Sequence, residues 1–311
     1  MHIRIATRQS ELAIWQSNYV RGFLHRLKPE LRIELIGMTT KGDQILDKHL
    51  SKVGGKSLFT SELETAIEQG DADMAVHSLK DMPAELPKQF CIAAILPRDE
   101  PRDVLVSQNG SSLMKLPKGL RVGTSSLRRQ SQLLNQRSDL EIVGVRGNVP
   151  TRLGKISDGT CDAVVLAGAG LRRLGLFDNR CFTLDLRTFL PAIGQGAIAV
   201  ECKTSDLELR ELLKPLNCRS TERSVLAERM LNKVLGGSCQ HAIAAHAEKV
   251  GSDLRLTGLV SSPDGRERLL ATAIGPVEDY LRLGQEVAQE LKADGAEELL
   301  EMNIPLDKAC G

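Results

Sequence analysis

The chain has 311 residues, 41% hydrophobic and 26% charged, which suggests two domains, permits three, and provides for substantial cores. That composition excludes a disordered tail, a collagen-like fibre and a small disulfide scaffold. A net charge of +1 and an aromatic content of 3% argue against a general nucleic-acid binder and against a base-stacking surface.

The charge is unevenly spread. Residues 121–180 hold ten basic residues, nine of them Arg, against five acidic ones. Arg is favoured where carboxylate or phosphate is bound in planar, bidentate fashion. Seven cysteines, an odd number without C-x-x-C spacing, read as thiols of a reducing compartment. No apolar run of about 18 residues occurs, so no membrane span is expected. Met1-His2-Ile3-Arg4-Ile5-Ala6 leads straight into strand-like sequence, so no secretory signal is expected and the chain reads as cytoplasmic.

In chain order, Ile3–Thr7 reads as a strand. Ser10–Leu27 has helical periodicity through Leu12, Trp15, Tyr19, Val20 and Phe23. Leu31–Met38 alternates as a strand, Ser57–Gln69 reads as a helix stopped by Gly70, and Ala72–His77 and Cys91–Leu96 as apolar strands. The middle third continues the alternation. Leu120–Gly123, Leu140–Val145 and Asp162–Ala167 read as strands, with helices over Ser125–Arg137 and Pro150–Ser157 and a short turn or helix at Leu171–Leu174. Such alternation predicts parallel α/β layers. Beyond the strand Ile198–Glu201 the pattern changes. Two helices, Asp206–Leu213 and Thr221–Val234, precede consecutive strands at Ala242–Ala247, Leu254–Ser261 and Glu267–Ile274, and a final helix spans Val277–Ala293. This predicts a small antiparallel α+β domain.

Four segments carry candidate chemistry. Gly123-Thr124-Ser125-Ser126-Leu127-Arg128-Arg129 lies where a strand turns into a helix, and free N–H groups with two arginines there suit an anion, against ordinary capping as the bland reading. Arg146-Gly147-Asn148-Val149-Pro150-Thr151-Arg152 follows the next strand in the same way, so both loops aim at one crevice at the carboxyl ends of strands. In His77-Ser78-Leu79-Lys80-Asp81, Lys80 and Asp81 read as a simple ion pair first and as a carboxylate poised for proton transfer second. Leu235-Gly236-Gly237-Ser238-Cys239-Gln240 could present a thiol to a cavity. From these residues alone a buried inert Cys is the default, and a metal site through Cys239, His241 and His246 lacks a second Cys at finger spacing.

Together with Arg4–Ser10, Thr40-Lys41-Gly42-Asp43, Val53-Gly54-Gly55-Lys56 and Leu190-Pro191-Ala192-Ile193-Gly194-Gln195-Gly196, these segments closely resemble the porphobilinogen deaminase family, from Arg4 to the final helix. The resemblance implies an α/β fold of two periplasmic-binding-protein-like lobes plus a small C-terminal α+β domain. The implied boundaries are 1–96 with 197–216 for the first lobe, 97–196 for the second and 217–311 for the third unit, with crossings near Leu96–Asp103 and Leu190–Gly196. It implies a transferase that joins four porphobilinogen molecules head to tail into hydroxymethylbilane, releases ammonia, and is primed by a dipyrromethane cofactor attached through a thioether.

By the same resemblance Cys239 is the attachment point, which displaces the inert reading, and Asp81 is the catalytic carboxylate. Lys80, Thr124, Ser126, Arg128, Arg129 and Arg146 are implied to bind the cofactor. Arg8, Ser10, Lys52, Lys56, Phe59, Arg146, Arg152, Arg173 and Gln195 are implied to bind substrate. Each pyrrole carries an acetate and a propionate, so a lengthening chain demands many cations. The expected partners are porphobilinogen and polypyrrole intermediates, with no nucleic acid, membrane or metal, and the expected state is a monomer. Departures from the family pattern are Glu11, Ser57, Ser61 and Ser238. A two-lobed binding protein for an anionic ligand is the competing reading, and it leaves the Gly-Gly-Ser-Cys segment unexplained.

Overall fold

The computed structural model describes residues 1–44, 60–238 and 241–302. The first part of the chain forms β1 (His2–Arg8), α1 (Glu11–Leu27), β2 (Arg32–Met38), α2 (Lys41–Gln44), α3 (Ser61–Gln69), β3 (Met74–Ser78) and β4 (Phe90–Ile95). Next come β5 (Asp103–Ser107), β6 (Arg121–Gly123), α4 (Leu127–Gln136), β7 (Glu141–Val143), α5 (Val149–Ser157), β8 (Ala163–Ala167), α6 (Gly168–Arg173) and β9 (Cys181–Thr183). The last part forms β10 (Ile198–Lys203), α7 (Leu207–Leu213), α8 (Arg219–Leu235), β11 (Ile243–Val250), β12 (Asp253–Ser261), β13 (Arg268–Pro276), α9 (Tyr280–Ala293) and α10 (Ala296–Glu301).

Two five-stranded sheets share one plan, with orders β2-β1-β3-β10-β4 and β7-β6-β8-β5-β9. In each, three parallel strands are followed by an antiparallel fourth and a fifth that pairs with the fourth. The layers are therefore mixed, not wholly parallel as the alternation predicts. The antiparallel strands are the ones the chain forms on entering a sheet from the other lobe: β5 after the first crossing and β10 after the second. β5 and β9 were not among the expected strands. β5 is buried at every position, so it shows no alternation to read.

Packing explains why these elements form. Ile3 and Ile5 of β1 face Val20 and Leu24 of α1, while Ala6 faces Leu63 and Ile67 of α3, so the strand is covered on both faces. α1 is capped by Ser10, whose Oγ accepts from Ala13 N at 3.3 Å, and Pro29 follows its end. The expected helix over 57–69 is described from Ser61 onward.

The two crossings run side by side. Leu96 N donates to Ile198 O and Asp99 N to Gly196 O. Gly196 has φ +91°, and a Cβ there would lie 2.6 Å from Asp99 O, so only glycine allows the strands this close.

The C-terminal unit is the antiparallel meander β11-β12-β13 with α8 and α9 against one face, packed through Leu231, Leu256, Leu283 and Val287. The expected helix over Val277–Ala293 opens as a 3-10 turn at Val277–Asp279, and α10 extends the chain beyond it. Glu228 of α8 is fully buried and joins this unit to both crossings. It accepts from Arg98 Nη1 at 2.6 Å, from Gly194 N at 2.7 Å and from Ala247 N at 2.8 Å.

Candidate active site

Because β1, β2 and β3 are parallel, their carboxyl ends lie along one edge, and so do those of β6, β7 and β8. Arg8 ends β1, and Ser10 caps the helix that follows. β3 runs into a 3-10 turn at Leu79–Asp81. In the second lobe, Thr124 and Ser126 close the turn from β6 to α4. Ser126 N donates to Thr124 Oγ1 at 3.2 Å, and Ser126 Oγ accepts from Arg129 N at 3.4 Å. Asn148 caps α5 by accepting from Thr151 N at 2.9 Å, with Arg146 just before it and Arg152 one turn inside. Pro150 suits that first turn because it has no N–H to satisfy.

These ends bring charges from both lobes together. Burial pushes the Arg152 guanidinium down to about 10, with repulsion from Arg129, Arg146 and Arg8 adding to it and only Asp81 opposing. Burial likewise pushes the Lys80 ammonium down to about 8, where Arg129 and Arg128 act against Asp81 and Asp103. For Arg8, burial works against the charge, but the hydrogen bonds to Asp43 and the field of Asp81 outweigh it and hold the guanidinium above its ordinary value. Asp81 is thus the shared negative neighbour of Arg8, Lys80 and Arg152. It is half-buried, and among the described residues its carboxylate accepts no hydrogen bond. Arg152 donates Nε to Gly147 O at 2.7 Å and forms no ion pair with a carboxylate among the described residues.

Other expected site residues are bound within the protein. Arg128 donates Nη1 to Asp103 Oδ2 and to Leu190 O, both at 2.7 Å. Arg129 donates Nε and Nη2 to Asp103 Oδ1 at 3.0 and 2.7 Å. Burial works against the Asp103 charge, yet the two guanidiniums hold this carboxylate well below the usual range. Gln195 is fully buried. It donates to Pro101 O and Asp103 Oδ1 and accepts from Lys80 Nζ at 3.3 Å. Arg173 donates to Gly196 O at 2.6 Å, pairs with Asp99 at 3.3 Å and lies 5.6 Å from the Trp15 ring centroid, so it ties α6 to α1 and to both crossings.

Lys52, Lys56, Phe59 and Cys239 lie outside the described residues. Sequence reasoning missed the carboxylates that hold the arginines, namely Asp103, Asp43, Asp99 and Glu228. The one readable signal was Asp103 immediately before the apolar run Val104-Leu105-Val106, an expensive place for an unpaired charge.

A family model described as porphobilinogen deaminase, dipyromethane cofactor binding domain, matches residues 3–211. One described as porphobilinogen deaminase, C-terminal domain, matches residues 223–293. The chain is 49% identical over 298 residues to a porphobilinogen deaminase of Nitrosomonas europaea, covering 96% of this chain and 97% of that one. Among solved structures it has distant likenesses. One is the probable amino-acid ABC transporter extracellular-binding protein ytmK of Bacillus subtilis, with 13% identity, 70% of this chain, 90% of that chain and a TM-score of 0.42. Another is the second substrate binding domain of a putative amino acid ABC transporter from Streptococcus pneumoniae, with 15% identity, 68% of this chain, 90% of that chain and a TM-score of 0.43.

Proposed function

The chain belongs to the porphobilinogen deaminase family, the hydroxymethylbilane synthases, and from that premise we propose how its own residues divide the work. The family's activity joins four porphobilinogen molecules into hydroxymethylbilane with release of ammonia, in tetrapyrrole biosynthesis. Its cofactor is dipyrromethane, which supplies, when bound, the pyrrole end on which the new chain is built.

The observation that carries the assignment is the gathering of Arg8, Arg129 and Arg146, from both lobes, about the Arg152 guanidinium. Their charges add to burial in lowering the proton affinity of Arg152, Asp81 alone opposes them, and a polycarboxylate ligand relieves that repulsion. Arg8, Arg146 and Arg152 bind pyrrole acetates and propionates, with Arg129 and Lys80 on the cofactor side. Thr124, Ser126 and Ser10 add hydroxyls at helix starts, where backbone N–H groups favour anions. Arg128 and Gln195 serve the ligand through Asp103 and Lys80, and Arg173 through the crossings, since these are the groups they bond. Lys52, Lys56 and Phe59 are assigned to substrate from sequence, and Cys239 to covalent attachment of the cofactor.

Asp81 is the catalytic carboxylate. With its oxygens unclaimed among the described residues, it can accept pyrrole N–H bonds, stabilise positive charge on a bound pyrrole and hold the proton that is lost. Arg8, Lys80 and Arg152 surround that carboxylate with positive charge. The division into 1–96 with 197–216, 97–196 and 217–311 is supported by the membership of the three sheets. A cytoplasmic monomer completes the reading, and no helix among the described residues is long and apolar enough to cross a membrane.

The test is an ammonia-release assay with porphobilinogen, paired with intact mass and Ehrlich's reagent. Two pyrrole units above the 34.0 kDa chain are expected, absent in Cys239→Ser. Asp81→Asn should retain its pyrroles yet turn over at least ~100-fold more slowly, the lower range for a lost acid–base group. Near-normal turnover of Asp81→Asn removes it from the mechanism. Pyrroles retained in Cys239→Ser remove the thioether assignment, and binding without ammonia release points to a binding protein.

A further inference from the structure

We infer that Arg229 is a positioning residue for Asp81, through which the C-terminal domain holds the aspartate turn, an inference that rests on the catalytic reading of Asp81. The turn is docked along one face of α8, at residues spaced i, i+4 and i+8. Val225 packs with Leu79 and Met82, the buried residues on either side of Lys80-Asp81. Arg229 donates Nη2 to Pro83 O at 2.7 Å and to Ala84 O at 3.1 Å. Lys233 pairs with Glu85 at 2.7 Å. That spacing puts the three on one stripe of the helix.

The contact matters because, beside the apolar packing of Met82 and Leu86, it is what holds the backbone on the carboxyl side of Asp81. Its own carboxylate has no hydrogen bond among the described residues, so its position is set by the backbone on either side. Upstream, β3 anchors it: Ser78 Oγ accepts from Gln16 Nε2 at 2.8 Å, Leu79 N donates to Ala197 O at 3.0 Å, and buried His77 meets Glu201 at 2.9 Å. Downstream, the two carbonyls that Arg229 grips are the first after Met82. The Arg229 guanidinium is itself buried and pushed down by that burial, with the Glu201 charge opposing, so both ends of the turn lean on the same buried charges. α8 ends at Leu235, four residues before Cys239 in sequence, so the helix that grips the aspartate turn also leads into the cysteine segment.

The experiment is a double-mutant cycle on holoenzyme, with turnover expressed per pyrrole-loaded molecule. Arg229→Met should lose about tenfold in kcat, as expected when a reacting group is misplaced by a fraction of an ångström. Its KM should stay within about twofold, because no substrate contact is removed. In an Asp81→Asn background Arg229→Met should add no further loss. Should Arg229→Met not fold, Arg229→Lys carries the same comparison. Its single ammonium serves the two carbonyls less well and should lose roughly threefold, again only where Asp81 is present. A lowered melting temperature with unchanged kcat per loaded molecule overturns the inference, and so does an equal loss in both backgrounds. Near-normal turnover of Asp81→Asn alone instead overturns the reading of Asp81 on which it rests.

Discussion

Asp103 has no exposed surface, yet its carboxylate accepts from Arg128, Arg129 and Gln195. Replacing it by Asn keeps the shape and leaves two buried guanidiniums short of a counter-charge. Breaking such a pair costs about 3–5 kcal/mol, so Asp103→Asn should lose that much in urea unfolding at pH 7. A loss below about 1 kcal/mol would show that the arginines find another partner. The pH dependence has a definite sign. The folded pKa of Asp103 is depressed, so its contribution is complete above the unfolded carboxylate value, about 4, and fades as pH falls below it. The gap between wild type and variant should therefore narrow in acid. Lys80 gives the complementary case. Its ammonium is charged below pH about 8 and loses its proton as pH rises through that value. The KM for porphobilinogen should climb across that range in wild type, because a neutral Lys80 loosens the cofactor carboxylates it holds and with them the pyrrole end that meets substrate. Lys80→Met should show the raised KM already at pH 7 and match wild type about two units above the Lys80 pKa, where little of the wild-type ammonium remains. Parallel KM profiles would place the Lys80 charge out of reach of substrate.

At the scale of elements, the start of α5 sets two site arginines at once. Asn148 satisfies Thr151 N, Gly147 holds φ +104° beside the Thr151 side chain, and Gly147 O takes Arg152 Nε. Asn148→Ala should cost about 1 kcal/mol in thermal unfolding, the usual worth of such a cap. It should also raise KM, since Arg146 and Arg152 flank the frayed turn. An unchanged KM would show that the cap does not orient them. This start was legible in the sequence because cap, glycine and Pro150 are local signals, as Ser10 and Ser126 are for α1 and α4. β5 was not, because Asp103-Val104-Leu105-Val106-Ser107 is covered on both faces and shows no period. The arginine-bearing loops were legible as residue types but not as partners. A motif gives Arg128 and Arg129, whereas their bond to Asp103 spans some twenty-five residues and depends on where the crossing passes. For the same reason Gln195 and Arg173 read as ligand residues, although their polar atoms close the crossings.

For the molecule as a whole, Glu228 is the point at which three bodies meet. One carboxylate takes Arg98 from the first crossing, Gly194 N from the second and Ala247 N from the C-terminal sheet, with His246 Nδ1 3.7 Å away. The C-terminal unit has its own core, built on Leu231, Leu256 and Val287, and could melt by itself if that junction were cut. Glu228→Gln leaves the largely buried Arg98 guanidinium without its counter-charge and turns an N–H toward donors that need an acceptor, a loss of about 3 kcal/mol. Intact, the junction makes opening of the crossings and release of the C-terminal unit a single event. Cut, it should let calorimetry resolve two transitions, with a van't Hoff enthalpy well below the calorimetric one. One cooperative transition at the wild-type temperature would mean that the apolar contacts of Val225 with Leu79 and Met82 hold the units together and the carboxylate contributes little. The two outcomes also separate in turnover, since a C-terminal unit loosened from the crossings remains fastened to the aspartate turn through Arg229 and Lys233. Glu228→Gln should therefore lower stability more than it lowers kcat, the reverse of what is expected for Arg229→Met.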